Sequence, residues 1–344
     1  MKRFTKGRLL LISGLLAVLL AVVIALALGI GSAPVPVIQT LFGSHPVPGG
    51  DEALRAREIL MGLRLPRILL AALVGAALAC AGATFQAVLR NPLADPYILG
   101  VSGGAALGAI TAAALGADSA PAAWALRPLA AFAGASSTIL LIFFLARLRG
   151  RVSNYPLLLT GVVLNSLFSA VILFVITVAD YARFQQVFFW LVGSIEAPPW
   201  PALAALAVAL ACGLAVLFAL ANRLNLLSLG EEEARALGVD VDRVKLGAIL
   251  AASFVTATAV SWSGLIGFVG LMVPHAGRLL GGPDHRLLLP ASALGGAIFL
   301  IAADTGARTL MAPIEMPVGI ITATIGAPFF LILFQREKAG RYFD

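Results

Sequence analysis

The chain contains 344 residues, of which 60% are hydrophobic and only 12% are charged, and its formal net charge is +7. Its mean hydropathy of +0.99 and the scarcity of charge exclude a soluble globular domain, in which about a quarter of the residues are charged. The composition predicts an all-α, polytopic membrane protein. The basic loops of such a protein explain the positive charge without nucleic acid.

Ten apolar runs are long enough to be membrane-spanning helices, which need roughly 17–25 residues. The run at 9–30 is too long for the apolar region of a signal peptide, about 7–15 residues, so we expect a retained first span. Together the runs predict a single transmembrane domain over residues 1–344. The ten predicted spans are 9–30, 68–89, 98–115, 129–146, 157–179, 202–221, 246–262, 265–280, 287–303 and 318–334.

Basic residues are distributed unequally between alternate loops. If the N-terminus is cytosolic, the inner segments hold 17 of the 24 Lys and Arg residues and the outer segments hold 7. Cytosolic loops of membrane proteins carry this kind of excess. We therefore expect both termini in the cytosol, residues 31–67 on the outer (periplasmic) side and residues 222–245 on the inner side.

Two loops have distinctive sequences. The outer segment 180–201 contains Trp190 and Trp200, which we interpret as part of an interfacial aromatic belt. A short re-entrant helix beside a pore entrance would use the same residues. On the inner side, Pro92 and Pro96 disfavour helix at the residues before them and predict a sharp turn between the second and third spans.

Glycines recur at short intervals in two of the predicted spans. This spacing lets the backbones of two helices approach closely, and we expect close packing rather than substrate contact. The residues are Gly100, Gly104 and Gly108 in the third span and Gly264, Gly267 and Gly270 in the eighth.

Residues 222–245 hold nine charged residues between two long apolar runs. Ser228 and Glu231 have the spacing of a capping box, in which each side chain bonds the backbone amide of the other residue. Glutamates 231–233 would then lie at the positive end of a helix dipole, and Gly238 would end the helix in the left-handed conformation. We expect a helix of about two turns that needs a packing partner to persist in water, a solvated loop helix being the alternative.

Several kinds of chemistry lack their sequence patterns. No lysine follows a glycine, which excludes ATP hydrolysis by a Walker A loop. The predicted span interiors hold no carboxylate that could read an ion gradient, which weakens the alternative of a gradient-driven secondary transporter. His, Cys and acidic residues show no ligand spacing and no nucleophile lies beside a base, so we expect no catalytic site, no metal site and no cofactor.

Polar and basic residues remain at two places. Asn165, Ser166 and Ser169 form a polar stripe in the fifth span, which fits either interhelical hydrogen bonds or the lining of a path. At outer ends of spans, exposed arginines are suited to carboxylates of a partner protein, whereas interfacial anchoring and a local Asp304–Arg308 pair explain them equally well. These arginines are Arg64, Arg67 and Arg308.

Five motifs follow one another along the chain. Taken together, from residue 63 to residue 334, they resemble the permease subunits of type II ABC importers for iron siderophores, haem and cobalamin. Departures are small: Met316 stands where leucine is usual, and three consecutive glutamates begin the cytosolic helix. The motifs are LRLPR (63–67), GATFQAVLRNPLADPYILGVSGGAALGA (82–109), LGEEEARALGV (229–239), GLIGFVGLMVPHAGRLLGGPDHRLLLP (264–290) and EMPVGIITATIGAPFF (315–330).

The resemblance implies a permease that lacks its own ATPase site and carries a bulky metal chelate across the bacterial inner (plasma) membrane. It also implies ten helices, a homodimer, two bound ABC ATPase subunits and a periplasmic substrate-binding protein. The substrate path would lie between the protomers, lined by the fifth and tenth spans.

The same resemblance assigns roles to individual residues. Arg64, Arg67 and Arg308 would dock the binding protein, and segment 222–245 would carry the helix that couples to the ATPase. That coupling helix comprises Ser228, Leu229, Gly230, Glu231, Glu232, Glu233, Ala234, Arg235, Ala236, Leu237 and Gly238. The cytosolic gate and path would comprise Asn91, Leu93, Ser153 and Asn154, with Asn165 and Ser169 on the fifth span.

Overall fold

The computed structural model describes residues 5–31, 35–37, 40, 50–116, 123–147, 154–178 and 188–341. Every regular element in these ranges is a helix, and a π-helical turn, Ile59–Arg64, joins α2 to α3. The helices are α1 (Lys6–Gly29), α2 (Gly50–Glu58), α3 (Leu65–Leu89), α4 (Val101–Ala114), α5 (Ala123–Arg147), α6 (Asn154–Val178), α7 (Trp200–Leu229), α8 (Glu231–Ala236), α9 (Val241–Ser263), α10 (Val269–Gly281), α11 (His285–Thr309) and α12 (Val318–Arg341).

The predicted ten-span, all-α architecture is confirmed. In the described part of the chain, seven helices are long and apolar enough to cross a membrane, and α4 and the apolar part of α12 are shorter. With the 13-residue α10, these helices match the ten predicted spans one by one. An even number of spans places both termini on one side, which the charge distribution assigns to the cytosol.

Helix α3 forms the centre of the bundle because it is built largely from small residues that let other helices come close. A methyl group added to Gly75 would overlap the carbonyl oxygen of Gly296 in α11. One added to Gly82 would overlap the carbonyl oxygen of Gly270 in α10. Helix α9 also packs against α3 and is buried along most of its length.

The glycine spacing of α4 has the predicted role at two of its three positions, whereas Gly100 precedes the helix with φ +74° and lies against Gly161 of α6. Gly104 packs against the backbone of Gly134, and Gly108 packs against that of Ala130, both in α5. In the second glycine series Gly264 and Gly270 are closely packed, as expected, but Gly267 is not, and the series lies on no single helix because α10 begins at Val269. Gly264 and Gly267 precede it in a non-helical linker and share no helix face with Gly270.

The outer segment after α6 departs from the predicted aromatic belt. Trp190 is only 7% exposed, and its carbonyl oxygen lies against Gly264. Trp200, at the start of α7, is 44% exposed and its indole N–H donates to the carbonyl of Met61 at 3.1 Å. Only Trp200 therefore fits an interfacial position; residues 179–187 lie outside the described ranges.

Candidate functional sites

The short acidic helix of segment 222–245 is α8, residues Glu231–Ala236. Its C-terminus is the predicted one: Gly238 has φ +82°, and its amide donates to the carbonyl of Arg235 at 2.9 Å. The amide of Val239 donates to the carbonyl of Ala234 at 3.0 Å. These two bonds form a Schellman motif, which satisfies the last carbonyls of the helix.

The predicted capping box at the other end of α8 is wrong. Helix α7 continues through Ser228, whose hydroxyl donates to the carbonyl of Leu224 one turn earlier at 2.8 Å. The chain turns at Gly230 instead, with φ +147° and ψ 152°, a conformation that favours glycine. Ser228 and Leu229 thus belong to α7, and a kink at Gly230 separates them from α8.

Ion pairs fix α8 to the beginning of α9. The Lys245 ammonium lies 2.8 Å from the Glu231 carboxylate, and the lysine side chain is only 1% exposed. Arg235 approaches both Glu231 at 3.9 Å and Asp242 at 3.7 Å. The first turn of α8 is therefore attached to the first turns of α9, so the two helices are expected to move together.

The remaining surface of α8 faces outward. Ala234 is its buried residue, whereas Glu232 and Glu233 are exposed. Leu229 and Leu237 flank the helix and are 60% and 61% exposed. A charged helix bordered by two exposed leucines is suited to a protein groove that covers both leucines.

The three outer arginines are mostly buried, so the expectation that they are exposed is wrong. Arg64 is 5% exposed and donates to the carbonyl of Leu28 at 2.8 Å; Arg308 is 7% exposed. The Asp304 carboxylate lies 3.0 Å from Arg67 and 3.2 Å from Arg308. This buried carboxylate offsets the cost of burying two guanidinium groups, and the predicted local Asp304–Arg308 pair is confirmed.

Glu315 completes this cluster at its outer edge. Its carboxylate lies 2.8 Å from Arg67 Nη1, and its side chain is 54% exposed whereas that of Arg67 is 16% exposed. The cluster borders a cavity of about 440 Å³ that also contains Glu196. Carboxylates of a partner protein would fit the guanidinium groups of this cavity and would meet Glu315 at its edge.

The predicted inner turn between α3 and α4 is present. Arg90 adopts the left-handed conformation with φ +51°, which ends α3. The Asn91 carboxamide accepts a hydrogen bond from the Leu93 amide at 2.9 Å. Leu93 is 55% exposed, so the turn presents an apolar tip to the inner side.

The other predicted gate and path residues lie at several places. Ser153 is outside the described residues, and Asn154 begins α6. The Asn165 carboxamide oxygen lies against Gly103 of α4, so close that a methyl group added to Gly103 would overlap it. Ser169 is exposed on α6. Of the polar stripe, Asn165 thus serves helix packing, and Ser169 remains available to a path.

Sequence reasoning missed two polar connections between distant segments. Asn225 of α7 donates to Asp284 at 2.8 Å and accepts from the His285 amide at 2.7 Å, which links α7 to the turn before α11. Hydrogen bonds from Arg286 are the main reason that the pKa of Asp284 falls to about 2. The second connection joins Tyr97 to Ile266. Both join residues far apart in the chain, and no local pattern signals them.

Comparison with known proteins gives a consistent picture. The FecCD transport family matches residues 18–336. The chain is 45% identical over 308 residues to the cobalamin import system permease protein BtuC of Halobacterium salinarum, covering 90% of this chain and 81% of that protein. It is 40% identical over 335 residues to the hemin transport system permease protein HmuU of Yersinia pestis, covering 96% and 97%.

A solved structure extends the similarity to the fold. It is described as a metal-chelate type ABC transporter in an inward-facing conformation. The TM-score is 0.81 at 34% identity, and the alignment covers 94% of this chain and 98% of the other.

Proposed function

The chain belongs to the FecCD transport family and is a permease subunit of an ABC importer, and we propose that its cargo is a bulky metal chelate: an iron siderophore, haem or cobalamin. The relatives are permeases in the inner membrane and have no ATPase site of their own. Separate subunits therefore supply ATP hydrolysis. The similarity to a cobalamin and a hemin permease supports the cargo class without choosing among its members.

The observation that carries the mechanism is the geometry of α8. It is a six-residue helix held to α9 by the Glu231–Lys245 pair, with Glu232, Glu233 and two flanking leucines facing outward. An isolated helix of this length is unstable in water, so its attachment to α9 preserves its shape. We assign residues 228–238 as the contact with the ATPase subunit.

The proposed path lies between two copies of the chain. Helix α6 is largely uncovered within one copy of the chain. Only 17% of its most apolar stretch is buried, and the large side chains of Leu167 and Phe174 are exposed. Ile325 and Leu331 of α12 are exposed in the same way. Homodimerisation through α6 and α12 would cover these residues and would leave Ser169 at the path.

In this mechanism, movement of the ATPase subunits makes the permease close the gate on one side of the path and open the gate on the other. ATP binding draws the ATPase subunits together and displaces α8, and α9 moves with it because of the ion pairs at their junction. The protomers then change which side of the path is closed. The inner gate is assigned to the turn with Asn91 and Leu93, together with Ser153 and Asn154. On the outer side, Arg64, Arg67 and Arg308 are assigned to binding-protein docking.

Reconstitution into liposomes tests the function. The permease with its ATPase and binding protein should import at least one of three probes, cyanocobalamin, haem or a ferric hydroxamate siderophore, only when ATP is present. Import driven by a proton or sodium gradient without ATP would contradict the proposal.

Leu229 and Leu237 test the assigned ATPase contact. Changing both to Ala should abolish co-purification of the ATPase and ATP-dependent import, because their exposed side chains are the apolar part of the contact. The matched control changes Leu10 and Leu15 of α1, which are 73% and 63% exposed, to Ala. Normal assembly of the α8 variant would overturn the assignment of α8.

A further inference from the structure

The inner turn between α3 and α4 is hydrogen-bonded to a distant part of the chain through Tyr97. Tyr97 donates from its hydroxyl to the carbonyl of Ile266 at 2.9 Å and accepts from the Ile266 amide at 3.1 Å. One hydroxyl therefore satisfies both backbone groups of one residue.

Ile266 lies in the non-helical linker between α9 and α10 and is 1% exposed. Backbone groups outside a helix and buried inside a membrane protein need partners from elsewhere in the protein. Phenylalanine would keep the ring of Tyr97 but would leave both groups of Ile266 without this partner. The hydroxyl is thus the chemically specific part of the contact.

Two neighbouring residues hold Tyr97 in position. The Asp95 carboxylate accepts from the Tyr97 amide at 2.8 Å, which fixes the backbone before the ring. The ring of Pro96 lies against Gly270 at the start of α10, where a methyl group would overlap it. The inner turn is therefore anchored to the α9–α10 junction as well as to α3.

The linker that contains Ile266 follows the end of α9 that is farther from α8. Helix α9 has 23 residues, so it is a rod of about 35 Å at 1.5 Å per residue. Its near end is joined to α8 through Lys245 and Glu231. A displacement of α8 therefore reaches the linker through one continuous helix, and Tyr97 joins the linker to the turn that carries Asn91 and Leu93.

We propose that Tyr97 is a positioning residue that transmits the movement of α9 to the inner gate, so that the gate turn follows the ATPase through its hydroxyl. This inference rests on the proposed function, because it takes α8 as the ATPase contact and the turn as the gate. It adds the connection between them.

The test compares Tyr97→Phe with Thr256→Val in the complete transporter. Thr256 is a suitable control because its buried hydroxyl donates to the carbonyl of Ala252 within α9 itself. Loss of this hydroxyl therefore breaks no link between separate segments. Each complex is reconstituted with ATPase and binding protein, and import per ATP hydrolysed is measured with whichever of cyanocobalamin, haem and a ferric hydroxamate siderophore the unaltered complex imports best. We expect Tyr97→Phe to lower this ratio at least about fivefold while ATPase activity and assembly persist.

Spin labels separate transmission from folding. Exposed Cys212 is changed to Ser, and a single label is placed either at Leu93 in the gate turn or at Arg243 near the start of α9, whose side chain is 89% exposed. Distances between the two copies are measured with and without ATP. In Tyr97→Phe, the ATP-dependent change at Arg243 should remain and that at Leu93 should be lost.

Each outcome decides the inference. An unchanged ATP response at Leu93 in Tyr97→Phe, or an equal loss of import per ATP in Thr256→Val, overturns it. Failure of the unaltered complex to import any probe with ATP would instead contradict the proposed function. The two failures are therefore distinguishable.

Discussion

The partners of the Lys245–Glu231 ion pair differ in their surroundings, because Lys245 is 1% exposed and Glu231 is 32% exposed. We expect Glu231→Gln to lower the free energy of unfolding by about 1–3 kcal/mol, since it removes the carboxylate that compensates a buried ammonium. Lys245→Met should change it by less than about 1 kcal/mol, since it removes the buried charge itself. Denaturant unfolding in detergent measures both, with exposed Glu232→Gln as control. Equal losses in the two variants would contradict this account.

Asp95 should make stability depend on pH. Burial raises the pKa of its carboxyl from 3.8 to about 6. Because the folded state holds the proton more tightly, the contribution of Asp95 to stability is complete below pH of about 4 and is lost as pH rises through about 6. Asp95→Asn removes the ionisation but retains an oxygen that can accept from the Tyr97 amide.

Asp95→Asn should therefore be more stable than the unaltered protein by up to about 3 kcal/mol near pH 8. The difference should shrink as the pH is lowered toward 4. Thermal unfolding across this range measures it. A difference that does not vary with pH would mean that the carboxyl of Asp95 is not responsible.

At the level of whole helices, the contact between α3 and α11 depends on a pair of glycines. Gly75→Ala should strongly reduce the yield and thermal stability of the protein, because the added methyl group meets the carbonyl of Gly296, a backbone atom that cannot rotate away. Gly14→Ala in α1 is the matched control, since no atom lies within 4 Å of its added methyl group. Equal behaviour of the two variants would show that α3 and α11 have room to separate.

Helices and their ends could be predicted largely from local sequence. The ten spans follow from apolar length, and the left-handed Gly238 follows from its place after a short helix, because both depend on neighbouring residues. Ser228 shows the limit of this reasoning. Its spacing to Glu231 fits a capping box, but α7 continues past it and the turn occurs at Gly230.

The site residues were less predictable because their environment comes from distant segments. Arg67 looked exposed at the start of a span, yet its partners Asp304 and Glu315 lie more than two hundred residues later. Tyr97 carried no signal at all, because a tyrosine beside a turn is ordinary until its hydroxyl is seen to reach Ile266. Long-range contacts of this kind leave no periodic pattern of residues in the sequence from which they could be predicted.

For the whole importer, the proposed docking role of Arg67 implies that Glu315 competes with the binding protein for its guanidinium group. Glu315→Gln should tighten binding of the periplasmic protein by up to about fivefold, since an exposed ion pair is worth about 1 kcal/mol or less. Glu196→Gln, on the same cavity, is the control. Binding to the detergent-solubilised complex measures it, and weaker binding would indicate that Glu315 itself contacts the partner.

Reversing the charge of Arg67 would be a poor test of the same surface. Arg67→Glu would place a second carboxylate beside the buried Asp304, 3.0 Å from the present guanidinium. The expected loss of binding would then include a loss of folded permease. Glu315 is the better position because it is more than half exposed.

The length of α7 has a consequence for the surroundings of α8. Thirty helical residues rise about 45 Å, or about 42 Å at a 20° tilt, whereas the hydrocarbon layer is about 30 Å thick. Starting at interfacial Trp200, the helix therefore carries Leu229 about 12 Å past the acyl chains. The headgroup layer fills about 5–7 Å of this distance, so the start of α8 stands within one Debye length, about 8–10 Å at physiological salt, of the headgroup charge. Three glutamates over a negatively charged leaflet are therefore repelled in part, because salt weakens the field at this distance without removing it, and anionic lipid should modestly hinder how the motor engages.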